Sequence, residues 1–168
     1  MLFFIRKFAL PYIFKIPNTN DENLKLYKYP MIRICTDEDL SNLVLLLKEL
    51  GYSMSEPVLN GHIEAIRSQN GEVFVKEHHG KIVGCINAII DVRLAEGLCG
   101  ELVSLVVSES YRGKGIGKEL VGYAERWLSE RCNVIRVRAN SNRQEAHKIY
   151  ERLGYNEIKS QKIFMKNV

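Results

Sequence analysis

The sequence has no C-x-x-C spacing, no long uncharged run and no strong charge of either sign. Its four cysteines, Cys35, Cys85, Cys99 and Cys132, are scattered, and Cys35, Cys85 and Cys132 sit in or beside apolar runs. That pattern excludes a zinc ribbon and a disulfide scaffold, and makes reduced thiols in a cytoplasmic protein the expectation. No metal is expected. The apolar pieces near the N-terminus are broken by Arg6-Lys7 and Lys15, short of the roughly 18–20 residues of a membrane span. Their charge order, with no small-residue cleavage site after them, is wrong for a secretion signal. No stable membrane insertion is expected. The net charge is only +4, and residues 1–30 hold most of it: Arg6, Lys7, Lys15, Lys25 and Lys28 face Asp21 and Glu22. The near-neutral remainder excludes a nucleic-acid surface spread over the fold but allows a local basic pocket. There is no internal repeat, no low-complexity tract, and no Ser–His–Asp or Cys–His constellation.

What is present is concentrated in one stretch. A β-branched strand, Glu101 to Val107, runs into Ser108-Glu109-Ser110-Tyr111-Arg112-Gly113-Lys114-Gly115-Ile116-Gly117-Lys118. A helix follows from about Gly117 to Glu130, with Leu120, Val121, Ala124, Trp127 and Leu128 on one face of a 3.6-residue period. Alternate glycines before a helix N-terminus leave N–H groups unobstructed, and the positive end of the helix dipole favours an anion. Arg112, Lys114 and Lys118 add charge. The physical reading is a phosphate site, suited to a pyrophosphate. The Walker spacing fails, because Arg112 stands where it needs its first glycine and Glu119 where it needs Ser or Thr. The dinucleotide fingerprint fits poorly, since its third glycine comes one residue early at Gly117.

The chain length suits one domain with a sizeable core. A first strand is expected from Met31. A helix capped by Thr36 follows, burying Leu40, Leu43, Val44, Leu47 and Leu50 and stopping at Gly51. A second helix is expected over Ser55 to Ser68. Glu72–Glu77 and Lys81–Asp91 read as a hairpin turned at His78-His79-Gly80. Strands are expected at Gly100–Val107, Val134–Ala139 and Ile158–Met165, with a loop over Arg93–Cys99. Asn142 with Glu145 three residues later is a capping-box-like start to a helix that buries Ala146, Ile149, Tyr150 and Leu153 and ends at Gly154.

Two of these segments carry a resemblance. Arg112-Gly113-Lys114-Gly115-Ile116-Gly117 after a strand resembles the acetyl-CoA loop of the GNAT superfamily of N-acetyltransferases, Arg/Gln-x-x-Gly-x-Gly/Ala. Asn142, Tyr150 and Gly154-Tyr155 resemble that family's C-terminal hallmark. The two motifs stand in the right order, separated by the right helix and strand. The resemblance covers about residues 31–168; residues 1–30 would be an extension, an apolar arm and a polar linker. It implies an α/β (α+β) GNAT fold: a central, mixed, mostly antiparallel twisted sheet of about 6–7 strands, flanked by about four helices and splayed at the acetyl-CoA site.

The resemblance further implies direct acetyl transfer from acetyl-CoA to a primary amine of a small molecule or peptide. Leu105, Val106 and Val107 would hold the pantetheine arm through free backbone groups and polarise the thioester. Arg112, Gly113, Lys114, Gly115, Ile116, Gly117 and Lys118 would cradle the pyrophosphate, and Asn142 and Tyr150 would lie beside the cofactor. Tyr150 is the candidate general acid and Glu101 the candidate base, Glu101 alternatively anchoring the acceptor ammonium. Ser104 is a weaker option, and His147 reads as a surface residue. The variable stretches Gly51–Asn70 and Asp91–Cys99 would build the acceptor pocket. Dimers are common in the family, and the arm at residues 1–17 could help form a homodimer. The competing reading is a GNAT-fold module that binds acyl-CoA without catalysis; a nucleotide-phosphate binder of another fold falls on its glycine spacing.

Overall fold

The structure, a computed structural model, describes residues 32–168; the expected N-terminal extension lies outside them. The elements are β1 (Ile32–Ile34), α1 (Leu40–Lys48), α2 (Glu56–Ser68), β2 (Glu72–His78), β3 (Lys81–Arg93), β4 (Gly97–Val107), α3 (Ile116–Ser129), β5 (Ile135–Val137) and α4 (Gln144–Arg152). The strands form one sheet in the order β1-β2-β3-β4-β5. β1 to β4 pair antiparallel and β5 joins β4 in parallel, as the crossover through α3 demands. His79 (φ 50°) and Gly80 (φ 74°) turn the β2–β3 hairpin, both left-handed as a two-residue turn requires.

The side-chain period of two splits the core between the sheet's faces. Phe74, Ile86 and Leu102 face α3, whose Leu120, Val121, Ala124 and Leu128 are fully buried. Val73, Val75 and Cys85 face α1 and α2, against Leu43, Leu46, Leu59 and Ile63. Each large aliphatic side chain buried this way contributes about 1.5–3 kcal/mol of transfer free energy. Gly84 is required by close packing, since a Cβ there would stand 2.9 Å from Leu120 Cδ1 and 3.0 Å from the Val106 carbonyl.

The sheet holds five strands among the described residues, fewer than the 6–7 expected. The strand expected at Ile158–Met165 does not form; Ile158, Ile163, Phe164 and Met165 are exposed. A strand needs a ladder partner, and this segment finds none among the described residues. α4 begins at Gln144 with Arg143 as its N-cap residue, so Asn142 does not cap it. Instead the Asn142 N–H donates to Asn140 Oδ1 at 2.9 Å. No helix of the described residues is long and apolar enough to cross a membrane.

Candidate active site

β4 carries the feature that makes a site. Leu102 faces α3, yet Val106, four residues on, faces α1 and α2. An unbroken strand would put both on one face. The parity changes because Asn87 pairs with Val103 and Cys85 with Val106, so that Ser104 and Leu105 together oppose Ile86. This is a β-bulge, with Ser104 in the left-handed region at φ 52°. On the other side of β4, pairing with β5 stops at Leu102–Val137. Among the described residues, the backbone of Ser104 and Leu105 therefore lacks a ladder partner on both sides, and the two strands part where β4 runs on to Val107.

The glycine loop follows directly. After a single 3-10 turn at Glu109–Tyr111 the chain reaches Arg112. Gly113 (φ 75°) and Gly115 (φ 84°) adopt the left-handed conformation, and a Cβ on either would meet open space. Backbone shape, not crowding, is what requires glycine there. Gly117 has ordinary backbone, and its Cβ would sit at contact distance, 3.8 Å, from Val107 Cγ2. Gly115 is the N-cap residue of α3 and supplies no capping side chain. The Glu119 N–H donates to the Gly115 carbonyl at 3.1 Å, so the N–H groups of Ile116, Gly117 and Lys118 have no acceptor within the helix. They are a cradle for an anion, flanked by the half-exposed Arg112 and by Lys114, whose Nζ lies 4.8 Å above the Tyr111 ring.

The sequence did not mark Glu49, at the end of α1. Its carboxylate accepts from the Ser108 hydroxyl at 3.1 Å, the Glu109 N–H at 2.9 Å and Arg112 Nη2 at 3.3 Å. Arg112 Nε meanwhile donates to the Val107 carbonyl at 3.0 Å. Lys76 was also missed. It is buried within the apolar run of β2 and ion-paired with Glu119 in the first turn of α3, which ties the anion-binding end of that helix to the sheet.

Tyr150 lies on α4 and packs, with Leu105 and Val107, on the α3-side core. Its ring meets Tyr155 edge-on at 5.9 Å, and the Tyr155 hydroxyl donates to Glu125 at 2.7 Å. Among the described residues no hydrogen-bond partner takes the Tyr150 hydroxyl. Burial raises its pKa above the usual phenol value. Asn142 is exposed, while His147 is half-buried, its Nε2 lying 3.0 Å from the Asn140 carbonyl.

Glu101 is 1% exposed. Arg138 donates Nε to its Oε1 at 2.6 Å and Nη2 to its Oε2 at 2.7 Å, while Arg136 donates Nη2 at 2.6 Å and Nε at 3.1 Å. Burial pushes its carboxyl up, but the hydrogen bonds from Arg138 and Arg136 outweigh that and hold the pKa below the usual carboxylate range. Arg136 is shared with Asp91 and Glu96. Glu101 is thus the clamp that binds β5 to β4.

Beside the bulge a cleft of about 300 Å³ opens between α1, α2 and strands β2 to β4. Ser104, Asn87 and Ile66 line it and also a second cleft of about 370 Å³ that continues under the end of α2 towards Asp91. Tyr52 and His62 complete the polar lining of the first; Glu101 lines neither. Both stretches expected to build an acceptor pocket contribute, Gly51–Asn70 through both α2 and the loop before it, from Tyr52 and Met54 to Ala65 and Gln69, and the second through Asp91 alone.

The sequence profile of the Acetyltransferase (GNAT) family matches residues 38–155. An uncharacterised N-acetyltransferase of Chlorobaculum tepidum is 34% identical over 114 residues, which span 66% of this chain and 66% of that protein. The glucosamine 6-phosphate N-acetyltransferase of Trypanosoma brucei brucei is 29% identical over 134 residues, 74% of this chain and 87% of that one. A solved acetyltransferase of Trypanosoma brucei superposes with a TM-score of 0.70 at 25% identity, covering 81% of this chain and 99% of that chain.

Proposed function

The chain belongs to the acetyltransferase (GNAT) family, whose chemistry is acetyl transfer from acetyl-CoA to an amine, and we propose that it performs this transfer directly on a primary amine of a small-molecule acceptor. One observation carries the reading: backbone at Ser104–Leu105, unpaired on both sides among the described residues, leads through the end of β4 and a single 3-10 turn to an uncapped, glycine-shaped helix N-terminus. The first can hold the pantetheine arm and a developing oxyanion. The second can hold a pyrophosphate through Gly113 to Lys118, with Arg112 beside it. The residues fit the donor, and bound acetyl-CoA supplies the reactive thioester.

The protein's own groups supply the rest. Tyr150, kept protonated by burial, stands ready to donate a proton to a leaving thiolate. A general base needs a pKa near the working pH, and a carboxylate held low by two guanidinium groups is a poor one. Glu101, expected as base or ammonium anchor, is assigned instead to holding β5. His62, in the cleft with Ser104 and Asn87, takes the role of accepting the acceptor's proton. Asn142 keeps only its expected place beside the cofactor.

The free cysteines Cys35, Cys85, Cys99 and Cys132 support a reducing, cytoplasmic setting. The exposed apolar tail residues Ile158, Ile163, Phe164 and Met165 support a homodimer. The test is to titrate acetyl-CoA by calorimetry and to follow CoA release over a panel of amines, including aminoglycosides, polyamines, amino acids and peptides. Acetyl-CoA binding with turnover of an amine is expected. Absence of binding refutes the proposal, and binding without turnover of any amine leaves the non-catalytic acyl-CoA module.

A further inference from the structure

We infer that the acceptor is a primary amine on an uncharged, apolar body, and that the acceptor cleft rejects phosphorylated and phosphonylated amines; this rests on the acetyltransferase reading above. The cleft beside Ser104 is walled by Leu43, Leu47, Met54, Leu59, Ile63 and Val73, and its polar lining is Tyr52, His62, Asn87 and Ser104. Among the described residues no lysine or arginine lines either cleft.

The cations that come nearest in sequence or along the sheet are already engaged. Arg67, next to Ile66, donates Nε to Glu72 at 2.9 Å and Nη2 to the Cys35 carbonyl at 2.7 Å. Arg93 donates to Asp91 at 2.7 Å, and Arg136 is shared by Asp91, Glu96 and Glu101. The one formal charge lining the clefts, Asp91, is negative. A phosphate entering this space would lose its hydration with no counter-charge among the described residues to replace it. The penalty for an unpaired desolvated ion is several kcal/mol, enough to decide between substrates.

An apolar body has the opposite balance, because it gains transfer free energy at about 25 cal/mol per Å² covered. The cleft volume, about 300 Å³, lies at the small end of ligand sites, roughly 300–1,000 Å³. That suits a single aromatic ring or short alkyl chain on the amine. In this respect the chain departs from its Trypanosoma relative, named for a phosphorylated amino sugar.

The experiment measures kcat/KM of the full chain at saturating acetyl-CoA for phenethylamine and hexylamine against glucosamine 6-phosphate and 2-aminoethylphosphonate. At least a tenfold preference for the apolar amines is expected. Tyr52→Lys, at the exposed rim, adds the missing cation without touching the core; it should narrow the gap by raising turnover of the phosphonate. Acetyl-CoA binding together with a preference for either phosphorylated amine overturns the inference and leaves the acetyltransferase reading standing. Acetyl-CoA binding with no turnover of either apolar amine overturns it equally, as does a Tyr52→Lys variant that gains nothing on the phosphonate. Failure to bind acetyl-CoA at all brings down both readings.

Discussion

Replacing Glu101 by Gln separates a structural carboxylate from a chemical one. The side chain is 2% exposed and accepts from both Arg136 and Arg138. Removing one partner of a buried ion pair costs about 3–5 kcal/mol. The lower end applies, because Arg138 is half-exposed and can rehydrate, while Arg136 keeps Asp91 and Glu96. With a urea slope of about 2 kcal/mol/M, a loss of about 3 kcal/mol moves the unfolding midpoint down by about 1.5 M. The pKa of Glu101 is lowered in the folded state. Its stabilisation is therefore complete above the unfolded value of about 4.3 and is lost as pH falls through the folded value. The gap between wild type and Glu101→Gln should be constant near neutrality and close below about pH 4. Urea titrations followed by circular dichroism measure both, alongside kcat at a temperature where the variant is folded. An unchanged midpoint with turnover reduced a hundredfold would refute the clamp and restore Glu101 as the base.

Tyr150→Phe should lower kcat by about a hundredfold, the scale of one general acid, while acetyl-CoA affinity by calorimetry stays within about twofold; equal loss of both would make the tyrosine structural. Gly115→Ala forces a Cβ into φ 84°, should cost about 1–2 kcal/mol and should weaken acetyl-CoA binding, whereas Gly117→Ala, with ordinary backbone and room for a methyl, should match or exceed wild-type thermal stability. Glu119→Ala leaves the Lys76 ammonium, 4% exposed, without its carboxylate and should cost about 2 kcal/mol. Lys76→Met leaves only a half-exposed Glu119 at a helix N-terminus, where a carboxylate is favourable, and should cost less; a reversed order in chemical denaturation would contradict the pairing.

The elements that could be read from the sequence are those whose signal is local. α3 announces itself by period, and the hairpin at His79-Gly80 by its turn residues. The loop at Gly113 and Gly115 shows itself because left-handed backbone selects glycine. The failures have physical causes too. Ile158 to Met165 has strand composition, but a strand is a pairing, and the segment has no ladder partner among the described residues. The bulge in β4 has no glycine to mark it, since Ser104 takes the left-handed position itself, so Leu102 and Val106 read as one face when they lie on two. Glu101 looked like a lone carboxylate at a strand start. Only the parallel register that sets it opposite Arg136 reveals that the alternating Arg136 and Arg138 of β5 are its partners.

That register also explains why donor and acceptor differ in legibility. The donor side is built of backbone, and the conformations that expose N–H groups are dictated by a contiguous run from Val107 to Lys118. Phosphates are alike from one relative to another, so such a run can stay a motif. The acceptor side is built of side chains from α1, α2 and three strands, brought together only by the fold. No spacing links Leu43 to His62 or Asn87 to Ser104. What the fold contributes there is chiefly a balance of charge: every guanidinium bordering the clefts is matched by a carboxylate. In the sequence the same arginines disappear into a near-neutral balance of charge. Selectivity at such a site follows from which charges remain unmatched, and at the anion loop it is the positive ones, Lys114 and Lys118. Of the two sides of the site, the described residues thus give the donor loop unpaired positive charge, in Lys114 and Lys118, and leave the acceptor side to be filled by apolar surface.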